Sequence, residues 1–366
     1  KSNVDQIGFA NSNGVPEFAS AICDQDSSVV ANMKKGGGVV IGRTNTPEFS
    51  LRWCTSNPLH GVSLNPWDTT VTPGGSSGGA ASSVAMGAGC IAHGNDLGGS
   101  LRYPAYCCGV ASIRPSMGRV PAFNPCAKVG RPEAVLMMSV QGPIARTVAD
   151  VRLGLNIMAA KDERDPMWKP WPAQPRRGGN HSKVGYCVDA FGHGVHASVA
   201  NSVQHAVDAL TSAGVEVVKL DPPNIDRIAD LWGELLMSAM QGPSEDAIRQ
   251  FGSVKINAVY DQYKAASRIH DEAGIVQLLA EPPAVVVSLP VSLGPVSAAF
   301  ASESPVFLVS ESLAFSSPGP GGDTTAESPA LATVGASTLS EPFIIQNAAP
   351  APSCRVAHRP AATRRR

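Results

Sequence analysis

Two glycine-serine turns decide how this sequence folds: Gly74-Gly75-Ser76-Ser77-Gly78-Gly79 and Asp96-Leu97-Gly98-Gly99-Ser100. A Gly/Ser run taken alone is more often a flexible loop. Here the first run leads into small residues from Gly78 to Gly89 that read as a helix. The second follows Cys90-Ile91-Ala92, which reads as a short apolar strand. Glycine at such junctions lets main-chain N–H groups converge on one point, where they can hold an anion or a developing oxyanion. The pair says more than either turn alone.

Working outward, Asp26-Ser27-Ser28 reads as the cap of a helix through Val29, Val30, Met33 and Lys34. Gly36 to Gly38 stop it, and Val39-Val40-Ile41 read as a strand. Downstream, Thr147 with Asp150 forms a capping box above Val148, Val151, Leu155 and Met158. Val184 to Cys187 reads as a strand, followed by a helix from about Ala197 to Ala213, a stop at Gly214 and a strand over Val215 to Leu220. This alternation predicts an α/β fold with a mixed, mostly parallel sheet.

The 366 residues are 43% hydrophobic and 16% charged, with a formal net charge of -1. That balance gives no support to a nucleic-acid or anionic-membrane partner. Arg364 to Arg366 reads as a solvated tail, and no apolar stretch approaches the roughly 18 residues of a membrane span. The eight cysteines include no C-x-x-C pair, so they read as buried free thiols of a cytoplasmic protein with no metal site. Lys264 is the last lysine, and from residue 281 the chain turns to Ala, Ser, Pro, Val and Gly. Val285 to Leu289 there suggests a strand, whereas Ser316 to Asp323 and Ala348 to Pro352 read as linker. The expected organisation is one domain over 1–280 and a Pro/Ala/Ser-rich segment over 281–366.

Gly74-Gly75-Ser76-Ser77-Gly78 also satisfies G-x-S-x-G, the nucleophile elbow of many hydrolases. The residues before it, Asp68 to Pro73, make a poor strand, and His193 and His196 have no carboxylate at a useful spacing. A phosphate loop is excluded because no Lys-Ser or Lys-Thr follows the glycines. A serine nucleophile then needs another base, and lysine is the candidate type.

At this point the chain resembles the amidase signature family. The matching blocks are Gly42-Arg43-Thr44-Asn45-Thr46-Pro47-Glu48-Phe49, Pro73 to Gly79, and Asp96 to Arg102 with Pro104-Ala105. Cys108-Gly109, Arg114 to Val120 and Gly142 to Asp150 continue the pattern. The resemblance implies the amidase signature fold, a mixed sheet covered by helices on both faces. It implies a Ser-cisSer-Lys triad, with Ser100 as nucleophile, Ser76 as the bridging serine after a cis Gly75–Ser76 bond, and Lys1 of Lys1-Ser2-Asn3-Val4-Asp5 as base. The amides of Leu97, Gly98, Gly99 and Ser100 would form the oxyanion hole. Gly75, Ser77, Asp96 and Arg102 would support the site. The implied reaction is hydrolysis of a carboxamide to an acid and ammonia or amine through a Ser100 acyl-enzyme, with neither metal nor organic cofactor. The expected partner is a small-molecule amide; nucleic acid and membrane are not expected, and a homodimer is left open.

Three departures stand beside this resemblance. Asn95 replaces the usual Thr or Ser before the aspartate, and Cys107 sits beside Cys108. The third is that the chain begins at Lys1, whereas family members carry residues ahead of the lysine, so the amino-terminal part of the natural protein is expected to be missing. Phe123 to Val135 and Trp168 to Pro172 read equally as stretches that shape the substrate pocket or as surface loops. Two other functions stay open: the A-type component of a glutamyl-tRNA amidotransferase, and a catalytically impaired fragment acting as a binding or structural module.

Overall fold

The computed structural model describes residues 1–127, 130–170, 183–222 and 224–280. In chain order it contains helix α1 (Ser28–Lys35), strands β1 (Ser56–Asn57) and β2 (Gly61–Val62), helix α2 (Gly78–Ala85), strand β3 (Ile91–Asp96) and helix α3 (Arg102–Cys108). Next come strand β4 (Ala111–Ser112), helix α4 (Glu133–Met138), strand β5 (Val140–Ala145) and helix α5 (Val148–Met158). Strand β6 (Lys183–Tyr186), helix α6 (Ala197–Ser212) and strand β7 (Glu216–Lys219) follow. Four helices complete the described chain: α7 (Ile225–Ala239), α8 (Pro243–Phe251), α9 (Val254–Ala266) and α10 (Glu272–Ala280).

The sheet that positions the site has the order β3-β5-β4. Strand β5 is buried along its whole length and runs antiparallel to both neighbours, with Asp96 opposite Val140 and Ala111 opposite Ala145. Successive residues of a strand face opposite sides. Ile144 packs with Ala80, Ala81, Leu101 and Cys108 of the α2–α3 side, while Pro143 lies against Gly154 of α5. Helices therefore cover both faces, as the α/β reading requires. On the α5 side, Val151, Leu155 and Met158 are buried, and Leu155 and Met158 join Val4, Val29 and Val120 in one core.

Parallel pairing is less prominent than the alternation predicts. Among the described ladders only β6–β7 is parallel; β1–β2, β3–β5 and β4–β5 are antiparallel. The reason is the connections. The βαβ crossover that forces parallel strands occurs at β6–α6–β7, whereas β3 and β5 meet through α3, β4 and α4 with reversed direction. The Val39-Val40-Ile41 strand does not form: Val39 is 84% and Ile41 73% exposed, and no ladder partner is found among the described residues. An apolar triplet makes a strand only where a neighbour receives its backbone groups.

The helix ends follow the local chemistry. Thr147 caps α5 by accepting the Asp150 N–H, and Asp150 accepts the Thr147 hydroxyl in return. At α1 the N-cap is Ser27, but without a side-chain cap; Asp26 instead accepts the Ile7 N–H and pairs with Lys34. Of the expected buried thiols, Cys23 and Cys108 are buried and Cys90 is exposed. No helix among the described residues is long and apolar enough to cross a membrane. The expected strand over Val285 to Leu289 and the 281–366 segment lie outside the described residues.

Candidate active site

Strand β3 ends on Asp96, a buried carboxylate around which the Gly98-Gly99-Ser100 turn is wound. Its Oδ1 accepts the Gly99 N–H at 2.8 Å and its Oδ2 the Leu101 N–H at 3.1 Å. Arg102 donates to both oxygens at 3.1 Å, and Arg114 approaches to 3.8 Å. Burial alone would raise the carboxyl pKa. The hydrogen bonds and charge of Arg102 and the two amides outweigh burial and hold it below the usual range. Asp96 is thus an ionised pin for the turn that presents Ser100. Of the four amides expected at an oxyanion hole, the Gly99 N–H donates to Asp96, while those of Leu97, Gly98 and Ser100 have no partner among the described residues.

The first turn is pinned differently. The Gly75–Ser76 peptide is cis. Thr46 Oγ1 donates to the Ser76 carbonyl at 3.0 Å, and Thr55 Oγ1 donates to the Gly74 carbonyl at 2.9 Å while accepting the Gly78 N–H at 3.0 Å. A methyl group on Gly75 would lie 2.7 Å from backbone atoms of Arg52, Trp53 and Cys54, so only glycine fits.

Lys1 is 7% exposed, and its ammonium nitrogen meets three side chains: Ser76 Oγ at 2.7 Å, Ser77 Oγ at 3.1 Å and Asn95 Oδ1 at 2.5 Å. Burial pushes its pKa down from 10.5 to about 7, opposed by the negative charge of Asp96. Asn95 is held in turn by donating to Asn3 Oδ1 at 2.9 Å. Ser76 and Ser100 both line one cavity of about 180 Å³, with no hydrogen bond between their hydroxyls among the described residues. No histidine bonds either serine there. His93, the partly buried histidine of β3, pairs with Gln141 at 2.8 Å, and desolvation drives its pKa well down.

Phe18, Phe49, Leu97, Val135, Leu236 and Met240 give the cavity apolar walls, and Arg131 is the charged residue among its described lining. Most of the Phe123-to-Val135 stretch lies on that wall. Trp168 does not; its indole donates to the Ala159 carbonyl at 3.1 Å, and Trp171-Pro172 lie outside the described residues. Asp5, Cys23 and Cys126 bring potential metal ligands within 4.8 Å of one another. The Asp5 carboxylate there already accepts from Asn11 and from the Cys126 N–H, and so ties loops together.

Of the residues expected at the site, the structure brings Lys1, Ser76 and Ser77 into contact and, beside them, Asp96 and Arg102. The sequence offers Asn95 only as a departure from the usual Thr or Ser and gives no sign that Thr46 and Thr55 brace the first turn. The usable signal for Asn95 was its place beside Asp96 at the end of the strand that feeds Ser100.

Comparison with known proteins extends these observations. The sequence model of the family described as Amidase matches residues 1–270. The chain is 45% identical over 271 residues to an indoleacetamide hydrolase of Bradyrhizobium diazoefficiens, covering 74% of this chain and 52% of that protein. It is 34% identical to the A-type component of a glutamyl-tRNA(Gln) amidotransferase from Methanospirillum hungatei over 62% of this chain and 51% of the relative. A bacterial aryl acylamidase of the amidase signature family superposes with a TM-score of 0.61 at 26% identity, over 75% of this chain and 59% of that one. The chain thus spans about half the length of the curated relatives it matches.

Proposed function

The chain belongs to the Amidase family, and from that premise we propose that it hydrolyses a carboxamide with an apolar, aryl-bearing acyl group through a Ser100 acyl-enzyme. The observation that carries this reading is the buried contact of Lys1 Nζ with Ser76, Ser77 and Asn95. A neutral lysine amine has two N–H groups and one lone pair. Asn95 Oδ1 can only accept, so it takes one N–H. Ser77 directs its own hydroxyl to the Asn95 carbonyl at 3.4 Å, so its oxygen accepts the other. The lone pair is left for the Ser76 hydroxyl.

The relay follows. Lys1 takes the proton of Ser76 as Ser76 takes that of Ser100, and Ser100 Oγ forms a bond to the amide carbon. The carbonyl π electrons become an oxyanion, held by the amides of Leu97, Gly98 and Ser100, while Gly99 serves the turn through Asp96. Collapse returns the proton through Ser76 to the leaving nitrogen, and ammonia or an amine departs. Water then hydrolyses the ester by the reverse relay. Gly75, Ser77, Asp96 and Arg102 support this geometry without touching the reacting atoms. We assign this chemistry to a domain over 1–280, in a cytoplasmic protein whose partner is the small amide, with a homodimer as the assembly to test.

The apolar cavity walls and the likeness to an indoleacetamide hydrolase favour an arylacetamide. The second reading, the A-type component of a tRNA-dependent amidotransferase, rests on the 34% likeness to such a protein. Wild type and Ser100→Ala are compared on indole-3-acetamide and glutamine, and by fluorophosphonate labelling. The expected result is arylacetamide turnover and a Ser100 adduct, with turnover lost by on the order of 10⁴-fold or more in Ser100→Ala. Glutamine turnover that appears only with tRNA and ATP would transfer the chain to the second reading. Absence of both adduct and turnover would leave a binding or structural module.

A further inference from the structure

The carbonyls of the nucleophile turn are held one after another. Trp232 Nε1 donates to the Leu97 carbonyl at 2.9 Å, Trp53 Nε1 to the Gly98 carbonyl at 2.8 Å, and the Tyr103 N–H to the Gly99 carbonyl at 2.7 Å. In a trans peptide the N–H points opposite to the C=O. Holding each oxygen therefore fixes the direction of the next residue's amide. Neither indole is on the cavity wall, whereas Leu97 and Ser100 are.

The two tryptophans do different work. The Gly98–Gly99 peptide is tied at both ends, by Trp53 at its oxygen and by Asp96 at its nitrogen. The Leu97–Gly98 peptide is tied at its oxygen by Trp232, and the Gly98 N–H has no partner among the described residues. The direction of that free amide thus depends on one side chain. Trp232 is itself well fixed. It sits in α7 one turn before buried Leu236, and it stacks on Trp53 with ring centroids 6.4 Å apart and planes 24° apart. Trp53 leans in turn on Tyr263 at 6.2 Å. The fit against the turn is close, since a methyl group on Gly98 would meet Trp232 Cζ2 at 2.5 Å.

We infer that Trp232 is a positioning residue for the oxyanion site: its indole N–H aims the Gly98 amide at the oxygen that becomes negative when Ser100 attacks. This rests on the amidase reading above. A preorganised donor acts because it does not have to reorient as charge develops. Freed from Trp232, the Leu97–Gly98 plane can swing, and the donor is there only part of the time. Trp53 acts on a peptide that Asp96 still holds, and the residue is 46% exposed, so water can replace its bond.

The test uses the full chain with Trp232→Phe and Trp53→Phe, and with a benzothienylalanine at 232, which keeps the bicyclic shape but lacks the N–H. Three quantities are measured on each: kcat/KM for indole-3-acetamide, affinity for the matching aldehyde, and affinity for the matching primary alcohol. The aldehyde forms an oxyanion on Ser100; the alcohol fills the acyl pocket without one. Both changes at 232 are expected to lower kcat/KM and aldehyde affinity together by about tenfold, less than the full loss of a donor. Alcohol affinity and KM stay within about twofold, and Trp53→Phe changes each quantity by less than about threefold. If the benzothienyl protein matches wild type, the N–H has no positioning role and the inference is overturned. It is overturned equally if aldehyde and alcohol weaken together, because that is the mark of a packing role. A wild type that neither turns over the amide nor binds the aldehyde removes the amidase reading itself, before any variant is considered.

Discussion

The two glycine turns carry the same residue types, yet they are held by opposite means. The turn at Gly74–Ser77 is constrained from outside by backbone: Gly75 lies against main-chain atoms of Arg52, Trp53 and Cys54, and neutral threonine hydroxyls close it. The turn at Asp96–Ser100 is held from within by charge, with two indoles holding its carbonyls from outside. A buried carboxylate gathers two amides and Arg102, and at Gly99, with φ +102, a side chain would meet only the Tyr103 Cβ at 3.9 Å. Glycine at 75 answers a shortage of room; glycine at 99 answers a backbone angle that L residues avoid. The difference bears on the proposed mechanism, in which Ser76 stays fixed against the Lys1 amine whereas Ser100 presents an oxygen with free amides beside it.

After loss of Ser100 itself, removing the proposed base beside the first turn should have the largest effect. Lys1→Ala is expected to lower kcat/KM by about 10²- to 10⁴-fold. In wild type, Lys1 is protonated below its pKa of about 7 and cannot accept a proton, so activity should fall as pH drops through that value. A profile recorded from about pH 5 to about pH 10 should show this limb in wild type and lose it in Lys1→Ala. An unchanged limb in the variant would assign it to another group.

Next comes the charge inside the second turn. Asp96→Asn keeps the shape but leaves Arg102 and Arg114 without their anion. Because the Arg102 side chain is half exposed, the expected loss is about 2 kcal/mol, below that of a fully buried pair, and is read by urea denaturation. The same change removes the negative charge that raises the Lys1 pKa, so the acid limb should move to lower pH. A limb that stays in place would show that the two turns are electrostatically independent, and one that moves up would contradict the sign of the Asp96 contribution.

The smallest contrast is between the glycines themselves. Gly75→Ala must displace backbone and should destabilise by up to about 3 kcal/mol. Gly99→Ala meets only the Tyr103 Cβ at 3.9 Å and should pay about 1–2 kcal/mol for its backbone angle. Thermal unfolding of the two variants ranks them; a lower melting point for Gly99→Ala would reverse the distinction drawn between the turns.

Much of this was legible in one dimension because the constraints are short in sequence. Thr147 and Asp150 cap their helix within one turn, and the β6–α6–β7 alternation is periodic enough to read directly. The Asp96–Arg102 support also lies within a few residues and travels with the resemblance. The strand at Val39–Ile41 was misread because an apolar triplet carries no information about whether a neighbouring strand exists. The predominance of antiparallel pairing escaped for a related reason: alternation of elements does not state which strands meet.

By itself, then, the sequence pointed to the family, to elements such as β3, α5 and the β6–α6–β7 unit, and to Lys1, Ser76 and Ser100 as the candidate triad. These follow from local periodicity and from blocks whose residue types are required together. Only the tertiary structure decided how the site is held. Asn95 reaches Lys1 across 94 residues and Trp232 reaches Leu97 across 135. The commitment of the Gly99 amide to Asp96 depends on which hydrogen bonds the folded turn completes. Such partners are chosen by the shape of the packed chain. A hydrogen bond needs its atoms within about 3 Å, and no spacing along the sequence brings groups so far apart to that distance.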